Sequence, residues 1–126
     1  MQCLNFYAAW VGILFGFVSG SVLGLFFHDR EWLGGYASWR RRMARLGHIS
    51  FFGIAIINLI YALSVQVFHV QVTSSGPSQL FVAGAVTMPL ICFLSAWKKF
   101  FRHLFFIPVL CLIIGTIWLF RGGLLV

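Results

Sequence analysis

The stretch AAWVGILFGFVSGSVLGLFFH, residues 8–28, decides how this chain is read. Ala8, Gly12, Gly16, Gly20 and Gly24 recur every fourth residue, and one further step of four reaches His28. Four residues of α-helix advance about 400°, so these positions form a slowly winding ribbon with almost no side chain. A second backbone or a flat ligand can come to van der Waals contact with such a ribbon, which is the pattern of a glycine zipper on helix 1.

Outward from that stretch, composition defines the class. With 61% hydrophobic and 9% charged residues, the 126-residue chain has too little polar surface to cover a soluble globule. Crossing the ~30 Å hydrocarbon layer takes roughly 20 apolar residues. Charge-free runs at 4–27, 49–67, 80–97 and 104–120 supply four such spans. The sequence predicts an all-α integral membrane protein, one four-transmembrane-helix bundle over residues 1–126. No Lys or Arg precedes the first run, which is also far longer than a signal-peptide core, so it is expected to stay as a helix.

Charge gives the expected orientation. Arg30, Arg40, Arg41, Arg42 and Arg45 lie between spans one and two, Lys98, Lys99 and Arg102 between three and four, and none between two and three. Eight of the nine basic residues share one side, with Arg121 alone on the other, so the positive-inside rule predicts N-out/C-out topology. That bias argues against dual topology and fits a bacterial cytoplasmic membrane. The net charge of +7 sits against the spans, where it orients helices and attracts anionic headgroups. No aromatic-and-basic platform for nucleic acid interrupts the apolar runs.

Several classes are excluded by missing residues. Cys3, Cys92 and Cys111 form no C-x-x-C, so a membrane thiol oxidoreductase lacks its redox pair. The only acids, Asp29 and Glu31, lie in the first loop and are expected to pair with the Arg cluster. Proton-coupled exporters of this size depend on a carboxylate buried in a span, and there is none. The Glu-Arg signature of glutathione-using four-helix enzymes is also missing.

Local signals shape the spans. Ser38 is placed to cap a helix carrying the Arg-rich residues 40–45 directly into span two, with Trp32, Trp39 and Trp97 as an interfacial belt. Pro77 suits a first helical position. Pro89 and Pro108 fall inside spans three and four, freeing the carbonyls of Ala85 and Leu104, and kinks are expected at both.

Histidine carries the candidate chemistry. His28 ends span one, His48 opens span two and His103 opens span four, so antiparallel threading brings all three to one depth. They could ligate a metal or haem b, or hydrogen-bond a quinone. Gly24 would leave room beside His28, and Arg45 and Arg102 could neutralise propionates. His69 lies 21 residues from His48, about 31 Å along a helix, and belongs to the opposite face. No pair of histidines 13–14 residues apart on one helix supports two stacked haems.

Asn58 is the conspicuous polar group at depth, with Ser50, Ser64, Thr87 and Thr116, and its expected role is a hydrogen bond to a neighbouring helix. Three functions then compete. An accessory or assembly subunit of a larger membrane complex, respiratory or redox in kind and without catalytic activity alone, accounts for the small-residue face and tiny loops. A haem b- or quinone-binding four-helix protein accounts for the histidines as well. A small channel or carrier would have to use Asn58 and the threonines as its path. Expected partners are lipid, other membrane subunits or a second copy, and no nucleic acid.

Overall fold

The computed structural model describes residues 2–124. α1 spans Gln2–Phe26, α2 Trp39–Gln66, α3 Gly76–Trp97 and α4 Phe106–Leu119. A 3-10 turn, Trp32–Gly34, lies in the first connection; a 3-10 helix, Lys99–Leu104, leads into α4, and a π-helical turn, Phe120–Leu124, follows it. Among the described residues, four helical rods are long and apolar enough to cross a membrane, the last running over Lys99–Leu124.

α2 starts where its cap is expected. The Ser38 hydroxyl accepts the Arg41 backbone N–H at 3.2 Å, and the helix runs without a break through the Arg-rich turns. The fourth span differs from expectation. Pro108 lies in the first turn of α4, where its missing N–H is one that a helix leaves unpaired anyway. The residues before it take the tighter 3-10 form instead of a kinked α-helix. Pro89, by contrast, is buried well inside α3.

α1, α2 and α3 pack on one another, while α4 lies along α3 and has at most marginal contact with α1 or α2. The molecule is therefore a three-helix unit with α4 on its flank. Three glycines of the α1 ribbon face α2. A Cβ at Gly12 would come within 2.9 Å of Ala55 Cβ, one at Gly16 within 2.6 Å of the Phe52 ring, and one at Gly20 within 2.6 Å of the His48 ring. Gly24 meets nothing within 4 Å. The close contact thus ends one turn before the ribbon does.

A second small-residue contact joins α3 to α4, and the sequence reading missed it. A Cβ at Gly76 would meet the Trp118 ring at 2.4 Å, one at Gly84 the Leu112 side chain at 2.8 Å, and one at Gly115 both Leu80 and Phe81 at 3.2 Å. The signal was present, because Gly76 and Gly84 are two steps of four apart. Across the other helices, Phe15 stacks on Phe51 at 5.6 Å, and Phe51 approaches Phe93 at 6.0 Å, so aromatic contacts link α1, α2 and α3.

Candidate functional site

His48 is the one histidine held between helices. Its Nδ1 is 3.0 Å from Ser19 Oγ on α1, and its ring is edge-on to Phe52 at 5.5 Å. The Ser19 hydroxyl also donates to the Gly16 carbonyl at 3.1 Å. Whether His48 Nδ1 donates or accepts in the first contact is set by the imidazole tautomer. The space for this ring exists because position 20 is glycine, since a Cβ there would lie 3.2 Å from Nε2.

The three histidines do not converge as one metal group. Among the described residues, no set of three or more His, Cys, Asp or Glu side chains is arranged to hold a metal ion. The physical reason is the position of α4. His103 lies exposed on the 3-10 helix packed against α3, its ring edge-on to Phe100 at 6.0 Å, and this element has at most marginal contact with α1. His28 lies exposed just past the end of α1. Common depth follows from threading, but neighbouring azimuth requires α4 to close on α1. Of the other candidates, Arg45 donates to the Tyr36 carbonyl at 3.4 Å, Arg102 is exposed beside His103, and Gly24 borders open space.

His69 lies at the far end, with a left-handed φ of 52°. It lines a cavity of about 550 Å3 together with Tyr61, Gln71 and Thr73, and no charged side chain borders that cavity.

The polar residues at depth form a closed hydrogen-bond network in which Asn5, unnoticed in the sequence, is central. Asn5 Nδ2 donates to Asn58 Oδ1 at 2.8 Å and to the Ser78 carbonyl at 3.2 Å, while Asn5 Oδ1 accepts from Ser78 Oγ. Asn58 Nδ2 donates to the carbonyls of Ile54 at 2.9 Å and Phe81 at 3.1 Å. Every amide and hydroxyl hydrogen of the three side chains is used, and α1, α2 and α3 are tied at one level. Asn5 could have been found as the lone amide in the first apolar run. Four further hydroxyls within the spans bond carbonyls of their own helices, Ser50 to Gly47, Ser64 to Ile60, Thr87 to Ala83 and Thr116 to Leu112, while the buried Ser95 hydroxyl has no partner.

Arg41 departs most from expectation. It was read as part of a solvated, headgroup-facing cluster paired with Asp29 and Glu31, yet it is 0% exposed. Its guanidinium donates to the carbonyls of Phe27 and Asp29, each at 2.8 Å, and lies 3.9 Å from the centroid of the Tyr36 ring. The rings of Phe27 and Trp32 stand at 5.0 and 5.5 Å. Arg41 therefore caps the carboxyl end of α1 with two charge-assisted bonds and a π-box rather than with a carboxylate. Its Nε is buried without a partner. The Asp29 carboxylate instead accepts the Glu31 backbone N–H at 2.9 Å.

No family model, no curated protein and no solved structure matches this chain.

Proposed function

We propose that this protein is an integral membrane subunit that acts by packing against other membrane helices, as an accessory or assembly component of a larger complex of respiratory or redox type. The observation that carries this reading is the shape of the helix array. Among the described residues α4 is held chiefly by α3, and an apolar groove of about 350 Å3 lies between α1 and α3, walled by Ala8, Gly12, Phe15, Ala85 and Phe93. Asn58, Thr87 and Thr116 are engaged within the protein, which supports a packing role over a channel or carrier that would need them as a polar path.

In this reading Gly12, Gly16 and Gly20 work as a glycine zipper on α1. The termini face away from the cytoplasm of a bacterial cell, and the basic loops meet anionic headgroups of its inner membrane. Helices of other subunits, or of a second copy, are its partners. The test is native electrophoresis of gently solubilised membranes. The chain is expected in an assembly well above its own 14.3 kDa, released when Ala85→Phe fills the groove. Migration at its own mass, unchanged by that substitution, would overturn the reading.

A second reading, a haem b or quinone site, is favoured by one observation. His48 holds its imidazole inside the helix array against Gly20, one turn from the open space at Gly24. His48 alone would be the haem ligand, or would donate a ring N–H to a quinone carbonyl. A Soret band in the detergent-purified protein, lost in His48→Ala, is its expected signature.

A further inference from the structure

We propose that the face where the first turn of α2 meets the 3-10 helix Lys99–Leu104 binds the headgroup of a two-phosphate anionic phospholipid. Trp39 ties the start of α2 to the end of α3, from which the 3-10 helix runs on, and sets its indole beside Lys99. Its Nε1 donates to the Ser95 carbonyl at 2.8 Å, and Lys99 Nζ stands 5.3 Å from its ring centroid. On α2, Arg42 is three residues on from Trp39 and therefore on the same side of the helix. On the 3-10 helix, Arg102 is three residues on from Lys99, and three residues per turn bring those side chains into line. Cations from two separate elements thus flank one indole. Lys98, over the Trp97 ring at 4.9 Å, extends the patch.

Arg42, Lys98, Lys99 and Arg102 are all exposed, and neither element carries an acid. The chain's two acids lie in the first connection, where Asp29 is already engaged by the Glu31 N–H. A strong positive potential therefore stands unneutralised at the ends of apolar helices. The ligand must bring phosphate to meet it and hydrocarbon to lie below it. Phe100, 72% exposed between the lysines and Arg102, and Trp97, 65% exposed, are suited to the ester and upper-chain region beneath a headgroup. Arg42 from α2 and the group Lys98, Lys99 and Arg102 from the following turn fit two phosphates on one molecule better than one. Basic pockets between membrane helices on the cytoplasmic side recognise lipids of this kind.

The inference rests on the reading that this end lies in a headgroup layer. Its test uses the full chain in bilayer discs containing phosphatidylcholine, phosphatidylglycerol and cardiolipin, with the lipid retained on the protein measured by native mass spectrometry. Cardiolipin is expected to be enriched. Lys99→Gln and Arg102→Gln should each lower that enrichment about fivefold, as loss of one near-surface cation implies. Lys99→Arg should restore it, and Arg121→Gln at the opposite end should leave it unchanged. Equal retention of the three lipids, or unchanged enrichment in both glutamine variants, would overturn the site. So would full displacement by inorganic pyrophosphate, which would mark a soluble anion as the ligand. Failure to enter the discs would instead overturn the membrane reading itself, and the site with it.

Discussion

Cutting the Asn5–Asn58 bond should loosen three helices at once. Asn58→Ala removes the bonds to Asn5 and to the Phe81 carbonyl, and it leaves one Asn5 N–H facing apolar surroundings. An interhelical bond in a membrane is worth about 0.6–2 kcal/mol, and an orphaned donor costs about 1–3 kcal/mol, so the expected loss is about 2–4 kcal/mol. Asn5→Ala strips a partner from Asn58 Oδ1 and from the Ser78 hydroxyl, and should cost a similar amount. The two losses should not add. Once both amides are gone, neither leaves the other unpaired, and a coupling of about 1–2 kcal/mol is expected between residues in direct contact. The assay is reversible unfolding of the four proteins in mixed detergent micelles of rising denaturing fraction, followed by far-UV circular dichroism. A coupling below about 0.3 kcal/mol would show that the two side chains act independently and would refute the closed network.

Along the α1 ribbon, Gly16→Leu and Gly20→Leu should each lower stability in detergent by about 1–3 kcal/mol, because the Phe52 and His48 rings occupy the space that a side chain needs, whereas exposed Val18→Leu should melt with the parent. Gly24→Ala, with nothing within 4 Å, should be neutral or raise stability by up to about 1 kcal/mol through helix propensity; a cost as large as at Gly20 would mean that the ribbon packs along its whole length. Arg41→Lys cannot keep two carbonyl bonds in a planar fork, so limited proteolysis should cut the 27–38 connection faster while circular dichroism of the four helices stays the same. For orientation, reporters fused at the C-terminus should be active only outside the cytoplasm, and a cytoplasmic signal there would reverse the assigned topology.

The sequence by itself determined the class of molecule, the number of spans and the cap of α2. These depend on quantities that act along the chain: apolar run length against bilayer thickness, and the hydroxyl of Ser38 at a helix start. It also marked α1 as a close-packing helix, because a four-residue glycine period has meaning on any helix. What it could not supply was which helix lies beside which. The depth of His28, His48 and His103 follows from threading, but their separation follows from α4 packing on α3 rather than returning to α1, a choice made by Trp118 lying on Gly76 and Leu112 on Gly84. Asn5, a lone amide in the first apolar run, gains its partners only where α3 brings Ser78 to it. Arg41 looked like its exposed neighbours Arg40 and Arg42, since along the sequence nothing distinguishes one cation in a basic run from the next. Only the fold turns that one inward, to the Phe27 and Asp29 carbonyls past the end of α1, because charge and run length are properties of the chain while partnership is a property of azimuth.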